Sequence, residues 1–318
     1  MKKKAKMSFE SRFRQTWKDI KRDRLLLLMF LPGLIYFFVF RYLPMGGLIM
    51  AFQDFDIFSG FLDSPFVGLK HFRTLFSTPQ FARIFMNTIL ISLYSILFSF
   101  PFPILFALLL NEMKWTKMKK LTQTISYLPH FISVVVVAGM VVDLLSPGHG
   151  AIARLISVIT GKEAPYLLAN PAYFRTVYIV TTIWQTMGWN AIIFIAALTG
   201  VDYEQYEAAT MDGASRLQKM WYITLPAIKP TIVIMLILSL GKIMETGFDL
   251  IFLLQNSLNL SSSEVISTFV YKRGILGEHT LPNYSFATAA NLFQSVISMV
   301  LVVTSNKLSK KLSEVSLW

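Results

Sequence analysis

IFMNTILISLYSILFSFPFPILFALLLN, from Ile84 to Asn111, runs for 28 residues without a Lys, Arg, Asp or Glu. About 20 apolar helical residues, rising ~1.5 Å each, cross a bilayer core roughly 30 Å thick. The stretch therefore predicts a transmembrane helix. Leu121 to Val142 and Thr176 to Val201 are also uncharged, and Leu25 to Gln53 is interrupted only by Arg41. His279 to Asn306 carries no Lys, Arg, Asp or Glu. Thr231 to Leu254 is the unusual member, because it holds Lys242, Glu245 and Asp249. An all-α membrane protein with six transmembrane helices is expected.

Composition agrees. Of 318 residues, 54% are hydrophobic and 15% charged, against about 25% charged in a typical soluble domain. The mean hydropathy is +0.54, which argues against a soluble globule and against disorder. A net charge of +12 raises the question of nucleic acid, but in so apolar a chain the excess sets topology instead, and no nucleic-acid partner is expected. Absence of cysteine excludes disulfides, thiolate metal sites and cysteine nucleophiles. No zinc spacing, GxxxxGK[ST] loop or GxSxG signature occurs. No catalytic or metal-ligating residue is therefore nominated, and an ATPase would need its nucleotide site on another chain.

Charge counting orients the spans. With the amino terminus inside, the segments 1–24, 112–120, 202–230 and 307–318 hold 20 Lys and Arg residues, and the outer segments hold 8. Positively charged loops stay cytoplasmic, so both termini are placed in the cytoplasm. The expected division is a basic tail or interfacial helix over 1–24, a six-span domain over 25–306, and a short tail over 307–318. No small-x-small cleavage site closes LLLLMFLPGLIYFFVF, so an uncleaved first helix is expected.

Between the fourth and fifth spans lies VDYEQYEAATMDGASRLQKMWYITLPAIKP, Val201 to Pro230. Glu204 to Met211 suits a short helix and Gly213 a break. A further turn over Ser215 to Trp221 would precede re-entry near Pro226 and Pro230. Apolar Met211, Leu217, Met220 and Trp221 among mixed charges fit a surface that docks on another protein, or an ordinary interfacial loop. Asp202, Glu204, Glu207 and Asp212 form no defined metal loop and read as solvated acids.

The segment Glu207 to Pro226 resembles the EAA loop of binding-protein-dependent ABC importer permeases. Glu207, Ala208 and Ala209 are followed by Asp212, Gly213 and Ala214, and then by Ile223, Leu225 and Pro226 at the family's spacing. PGLIYFFVFRYLPMGGLIMAF, Val67 to Phe72, Asn87-Thr88, the Trp184 region and Tyr284 to Ser295 extend the likeness to nearly the whole chain. They resemble the carbohydrate-uptake branch, an LplB-type, MalF/AlgM-like group of polysaccharide or oligosaccharide permeases. The large external insertion and extra leading spans of some maltose permeases are missing.

The resemblance implies a type I importer permease core in a bacterial cytoplasmic membrane, paired with a related second permease subunit. It also implies two ATP-binding subunits that carry ATP and Mg2+, with no cofactor on this chain. An extracellular solute-binding protein would deliver an oligosaccharide or polysaccharide fragment, acidic sugars included. By analogy Glu207 engages a groove on the ATPase, Ala208 and Ala209 permit close approach, and Gly213 supplies the bend before Ala214. Ile223, Leu225 and Pro226 anchor the return to the membrane. A permease for a peptide or another polar solute, or a docking or sensor subunit without flux, would share the loop.

For the solute path the candidates are Lys242, Glu245 and Asp249, whose spacings allow one helical face, and which central lipid would strongly disfavour. A Lys242–Glu245 pair is the plain structural account. Trp184, Gln185, Asn190, Asn291 and Gln294 offer amides and an aromatic ring for sugar hydroxyls and ring faces, although bundle cores use the same residues. His130 and His279 read as satisfied interfacial histidines. Pro101, Pro103 and Pro129 are expected to bend their spans.

Overall fold

A computed structural model describes residues 21–245, 247–277, 281–313 and 316. Most of the 1–24 tail, with the expected helix from Ser8, lies outside the described residues, as does His279. The chain forms two compact units, Met1–Gly68 and Leu69–Trp318.

The first unit is one long helix and a closing loop. Helix α1, Arg24–Phe52, carries its apolar side chains exposed along most of its length. It passes through a π-turn at Phe38–Tyr42 and finishes as a 3-10 helix over Leu43–Phe52. Beyond it, Asp54 N–H donates to Pro65 O (2.9 Å) and Val67 N–H to Phe52 O (2.8 Å), which closes the turn-rich loop.

The second unit holds α2 (Lys70–Ser77), α3 (Phe81–Asn111), α4 (Thr116–Phe131), α5 (Val134–Leu144), α6 (Ala151–Thr160), α7 (Pro171–Leu198), α8 (Tyr203–Met211), α9 (Arg216–Gly241), α10 (Phe248–Leu254), α11 (Ile266–Val270) and α12 (Tyr284–Ser313). Among the described residues five helices are long and apolar enough to cross a bilayer, and the pair α4–α5 taken as one span makes six. No strand occurs among the described residues, so the all-α expectation holds.

Two expected spans are broken. Leu121 to Val142 is bent by 97° between α4 and α5. Pro129 sits in a 3-10 turn at Leu128–Phe131, and Ile132 and Ser133 are extended, so the hydrogen-bond ladder ends before Val134 restarts it. Hydropathy records composition along such a run and not its direction. Thr231 to Leu254 likewise stops at Gly241, passes through a 3-10 turn at Ile243–Glu245, and resumes only at Phe248. In the second span α3 continues through Pro101 and Pro103. A π-turn at Ser95–Ser99 just before Pro101 widens the backbone where the ring would otherwise meet the carbonyl four residues back.

Helices α3 and α7 run side by side in the same direction. Ile91 packs with Phe174, Tyr178 and Ile179 at one end, and Ile104, Ala107 and Leu108 pack with Ala191, Phe194 and Leu198 at the other. Lipid is as apolar as these side chains, so close packing through small residues holds such helices together. Gly188 on α7 lets α4 approach so closely that a Cβ there would lie 2.1 Å from Ser126 O. Leu75, Phe81, Ile84, Met244, Phe286 and Ala290 form a further cluster joining α2, α3 and α12.

Polar side chains lace the connection after α10 to the first turns of α3 and α7. Buried Asn259 donates to Leu168 O (2.8 Å) and Leu254 O (3.0 Å), and accepts from Ser263 Oγ (2.7 Å). Asn87 donates to Ser261 O and Glu264 O and accepts from the Arg175 guanidinium (2.9 Å). Thr88 Oγ1 accepts from Ile266 N–H (3.0 Å), and Arg83 pairs with Glu264 (2.9 Å).

Candidate functional site

Helix α8 is short and defined by its caps. Asp202 accepts from Glu204 N–H (3.0 Å) at its start. At its end Gly213 is left-handed (φ +77°), Gly213 N–H donates to Thr210 O (3.1 Å) and Ala214 N–H to Ala209 O (2.9 Å). That pair of bonds is a Schellman cap, whose left-handed residue is most often glycine. Ser215 then caps α9: its N–H donates to Gln218 Oε1 (2.7 Å) and its Oγ accepts from Gln218 N–H (3.3 Å).

The next helix differs from the expected single turn. Helix α9 is continuous from Arg216 to Gly241, with Pro226 and Pro230 inside it. A π-turn at Met220–Thr224 precedes Pro226, as another does Pro101. Two side-chain bonds strap α8 onto it. Tyr206 Oη lies 2.9 Å from Thr224 Oγ1, and Lys219 Nζ donates to Thr210 Oγ1 (3.1 Å). The result is an elbow in which side-chain bonds tie α8 to the base of α9.

Glu207 and Ala208 are exposed on α8, Ala209 and Ala214 are half-buried, and Gly213 is exposed. Ile223 is half-buried, Leu225 packs against the Ile104–Phe194–Ile228 cluster, and Pro226 is exposed. Around the elbow Met211 is 88% and Trp221 61% exposed, so large apolar groups stand free beside a charged helix.

The second feature is a cleft of about 530 Å³ between α3, α7, α9 and the break after Gly241. Of the solute-path candidates, Asn190, Lys242 and Glu245 line it. The others stand elsewhere. Trp184 and Asn291 are exposed, and Asp249 lies in the first turn of α10. Gln185 donates to Ile132 O (3.4 Å), and buried Gln294 donates to Met244 O (2.9 Å), so both serve the packing of the bundle. His130 stacks on Trp189 with ring centroids 4.5 Å apart.

Lys242, Glu245 and Asp249 do not share a helical face. Lys242 caps α9, Glu245 ends the 3-10 turn, and Gly247 is left-handed (φ +39°) before α10 starts. A Cβ on Gly247 would fall 2.0 Å from Tyr178 Oη, so this crossing requires glycine for space as well as for φ. Ser92 Oγ donates to Ile243 O and fixes the break against α3. Among the described residues Lys242 and Glu245 make no ion pair with each other. Irregular backbone within a membrane protein is tolerated where it lines a cavity, and this one does.

The cleft also contains residues that the sequence reading passed over. Ser92, Ser95 and Ser99 on α3 face Thr182 and Thr186 on α7. Hydroxyls three and four residues apart inside apolar runs are the signal that would have found them.

The chain matches the family of the binding-protein-dependent transport system inner membrane component over residues 99–313. It is 44% identical over 307 residues to the polygalacturonan/rhamnogalacturonan transport system permease protein YteP of Bacillus subtilis (strain 168), covering 94% of each chain. Protein LplB of the same organism is 41% identical over 299 residues, covering 94% of this chain and 92% of the relative. A crystal structure of a bacterial ABC transporter involved in the import of the acidic polysaccharide alginate contains a chain that is 43% identical, with a TM-score of 0.85. That likeness covers 94% of this chain and 99% of the other. With a matched family region spanning most of its length and relatives this similar, the chain belongs to the binding-protein-dependent transport system inner membrane components, the permeases of ABC importers.

Proposed function

We propose that this chain is a membrane-spanning subunit of an ATP-driven importer of oligosaccharides or polysaccharide fragments, uronate-bearing ones included. It pairs with a related permease, and two ATP-binding subunits hydrolyse ATP while this chain carries none of that chemistry. An extracellular binding protein delivers the glycan. Relatives that handle polygalacturonan, rhamnogalacturonan and alginate support the substrate class.

The observation that carries the reading is the elbow. Exposed Glu207 and Ala208 sit on a helix closed by Gly213 and strapped to α9 through Tyr206–Thr224 and Lys219–Thr210. Closure of the ATPase pair on α8 moves α9, and α9 forms one wall of the cleft. The excess of Lys and Arg in the segments assigned to the cytoplasm supports both termini inside and α8 on the ATPase side.

The test is uptake by the reconstituted complex with its delivery protein. ATP-dependent accumulation of an oligogalacturonate supports the reading, and charge reversal at Glu207 lowers glycan-stimulated ATP hydrolysis without reducing membrane insertion. Equal stimulation of wild type and variant at equal complex levels rejects the role of α8.

A further inference from the structure

Asn111 ends α3 and Leu198 ends α7, and the packing of Ile104, Ala107 and Leu108 against Ala191, Phe194 and Leu198 puts both ends on the elbow side of the bundle. The connection from α3 to α4 therefore emerges on that side. From Lys114 to Lys120 it reads KWTKMKK, with lysines at 114, 117, 119 and 120, and no Asp or Glu follows until Asp143. Lys114, Lys117 and Lys120 are exposed, and Lys119 is half-buried. None of the four makes an ion pair among the described residues.

Helix α4 has two unlike faces. Thr122, Gln123, Ser126 and Tyr127 are half-buried, and Ser126 lies against Gly188 of α7. Met118, Leu121, Ile125 and Leu128 are exposed, and their spacing of three, four and three residues makes one apolar stripe. At 3.6 residues per turn Lys117 and Lys120 fall along one edge of that stripe. Trp115 is 75% exposed and sits in extended backbone just before the helix, at the end of the stripe where the lysines are. An indole level with lysines at the head of an apolar stripe is the arrangement of a membrane–water interface. The ring lies among headgroups, and the lysine stems follow apolar surface to bring their ammonium groups to the phosphates. Setting topology needs only the charge, and requires neither the indole nor lysines aligned with a stripe.

We propose that Trp115, Lys114, Lys117 and Lys120 form a binding surface for an anionic phospholipid, whose headgroup meets the ammonium groups while an acyl chain lies along the stripe from Met118 to Leu128. Charge complementarity selects this occupant. Three exposed cations with no ion-pair partner favour a lipid of net negative charge over a zwitterionic one. The lipid rests on α4, which packs on α7, the helix that leads into α8. The surface takes no part in solute recognition, so it goes beyond the importer reading and stands or falls apart from it.

The test uses the assembled complex in nanodiscs, with a bromine-quenched bimane fluorophore on Thr116→Cys. This chain has no cysteine of its own, and the partner subunits are made without any. The discs hold phosphatidylglycerol as a minor component in phosphatidylcholine, and equal amounts of one lipid or the other carry bromine on their acyl chains. With the lysines intact, brominated phosphatidylglycerol should quench about fivefold more than brominated phosphatidylcholine, the effect of one lysine near an anionic surface. Raising NaCl to about 0.5 M should shrink the ratio. Lys114, Lys117 and Lys120 all changed to Gln should bring it to about one, and all changed to Arg should keep it. Equal quenching by the two lipids, a ratio that survives the Gln changes, or no quenching by either lipid would overturn the proposal, the last because protein then covers the stripe. So would a Gln variant that sheds the ATP-binding subunits, which would make the lysines a protein contact. Both leaflets of a nanodisc are alike and no solute is present, so the result depends neither on the orientation of the chain nor on transport.

Discussion

Replacing Gly213 perturbs the elbow through its backbone alone. A Cβ at this position meets nothing within 4 Å, so the left-handed φ of +77° is the whole penalty. For an L-residue that region costs about 1–2 kcal/mol, with Asn near the bottom of the range and β-branched residues at the top. A shift of this size changes the ratio of capped to uncapped α8 by roughly 5–30-fold. If docking needs the capped form, the apparent Kd for the ATP-binding subunit rises by at most that factor. The series Gly213→Asn, Ala, Val should therefore weaken docking in that order. Gly213→Pro should be worse, because it also deletes the N–H bonded to Thr210 O at 3.1 Å. Surface-immobilised complex titrated with ATP-binding subunit, together with glycan-stimulated ATP hydrolysis, measures both consequences. Asn and Val variants of equal affinity, or an Ala variant as tight as wild type, would show that the left-handed cap is not what the partner reads.

Other outcomes follow from other parts of the molecule. Gly188→Ala should drive α4 from α7 and lower the thermal midpoint of the purified complex, at a cost of about 1–3 kcal/mol, since the clash is with the backbone of Ser126. Asn259→Ala removes donors to Leu168 O and Leu254 O inside a closed environment. It should speed proteolysis and amide exchange across residues 255–268 far more than in α8, by the few kcal/mol that unsatisfied buried groups impose. Because the chain lacks cysteine, single cysteines at Ser215 and Ser257 test orientation directly. An impermeant maleimide added outside intact cells should label the second and not the first, and the reverse pattern would invert the assigned topology.

Much of the bundle was legible because its signals are local. The uncharged run from Ile84 forecasts α3, and Gly213 closes α8 where a glycine after a short helix should. The breaks were less visible for a physical reason. Lys242, Glu245 and Asp249 have helical spacing, and only Gly247, held between the demands of φ and of Tyr178, reveals that the helix does not continue. Pro129 pointed to a bend, but its 97° depends on the extended pair Ile132–Ser133 as well. Ser99 and Thr186 acquire meaning only when α3 lies against α7, and Asn259 only when its loop meets Leu168, a contact 91 residues apart.

The π-turns ahead of Pro44, Pro101 and Pro226 each hold a residue more than an α-turn would. At 3.6 residues per revolution, that surplus residue swings everything downstream by about 100° about the helix axis. One rod thus shows different azimuths to its surroundings above and below the proline. Excising a single residue from 95–99 would spin Ala107 and Leu108 away from Ala191 while sparing Asn87, so half of α3 would be mis-phased and half would still fit.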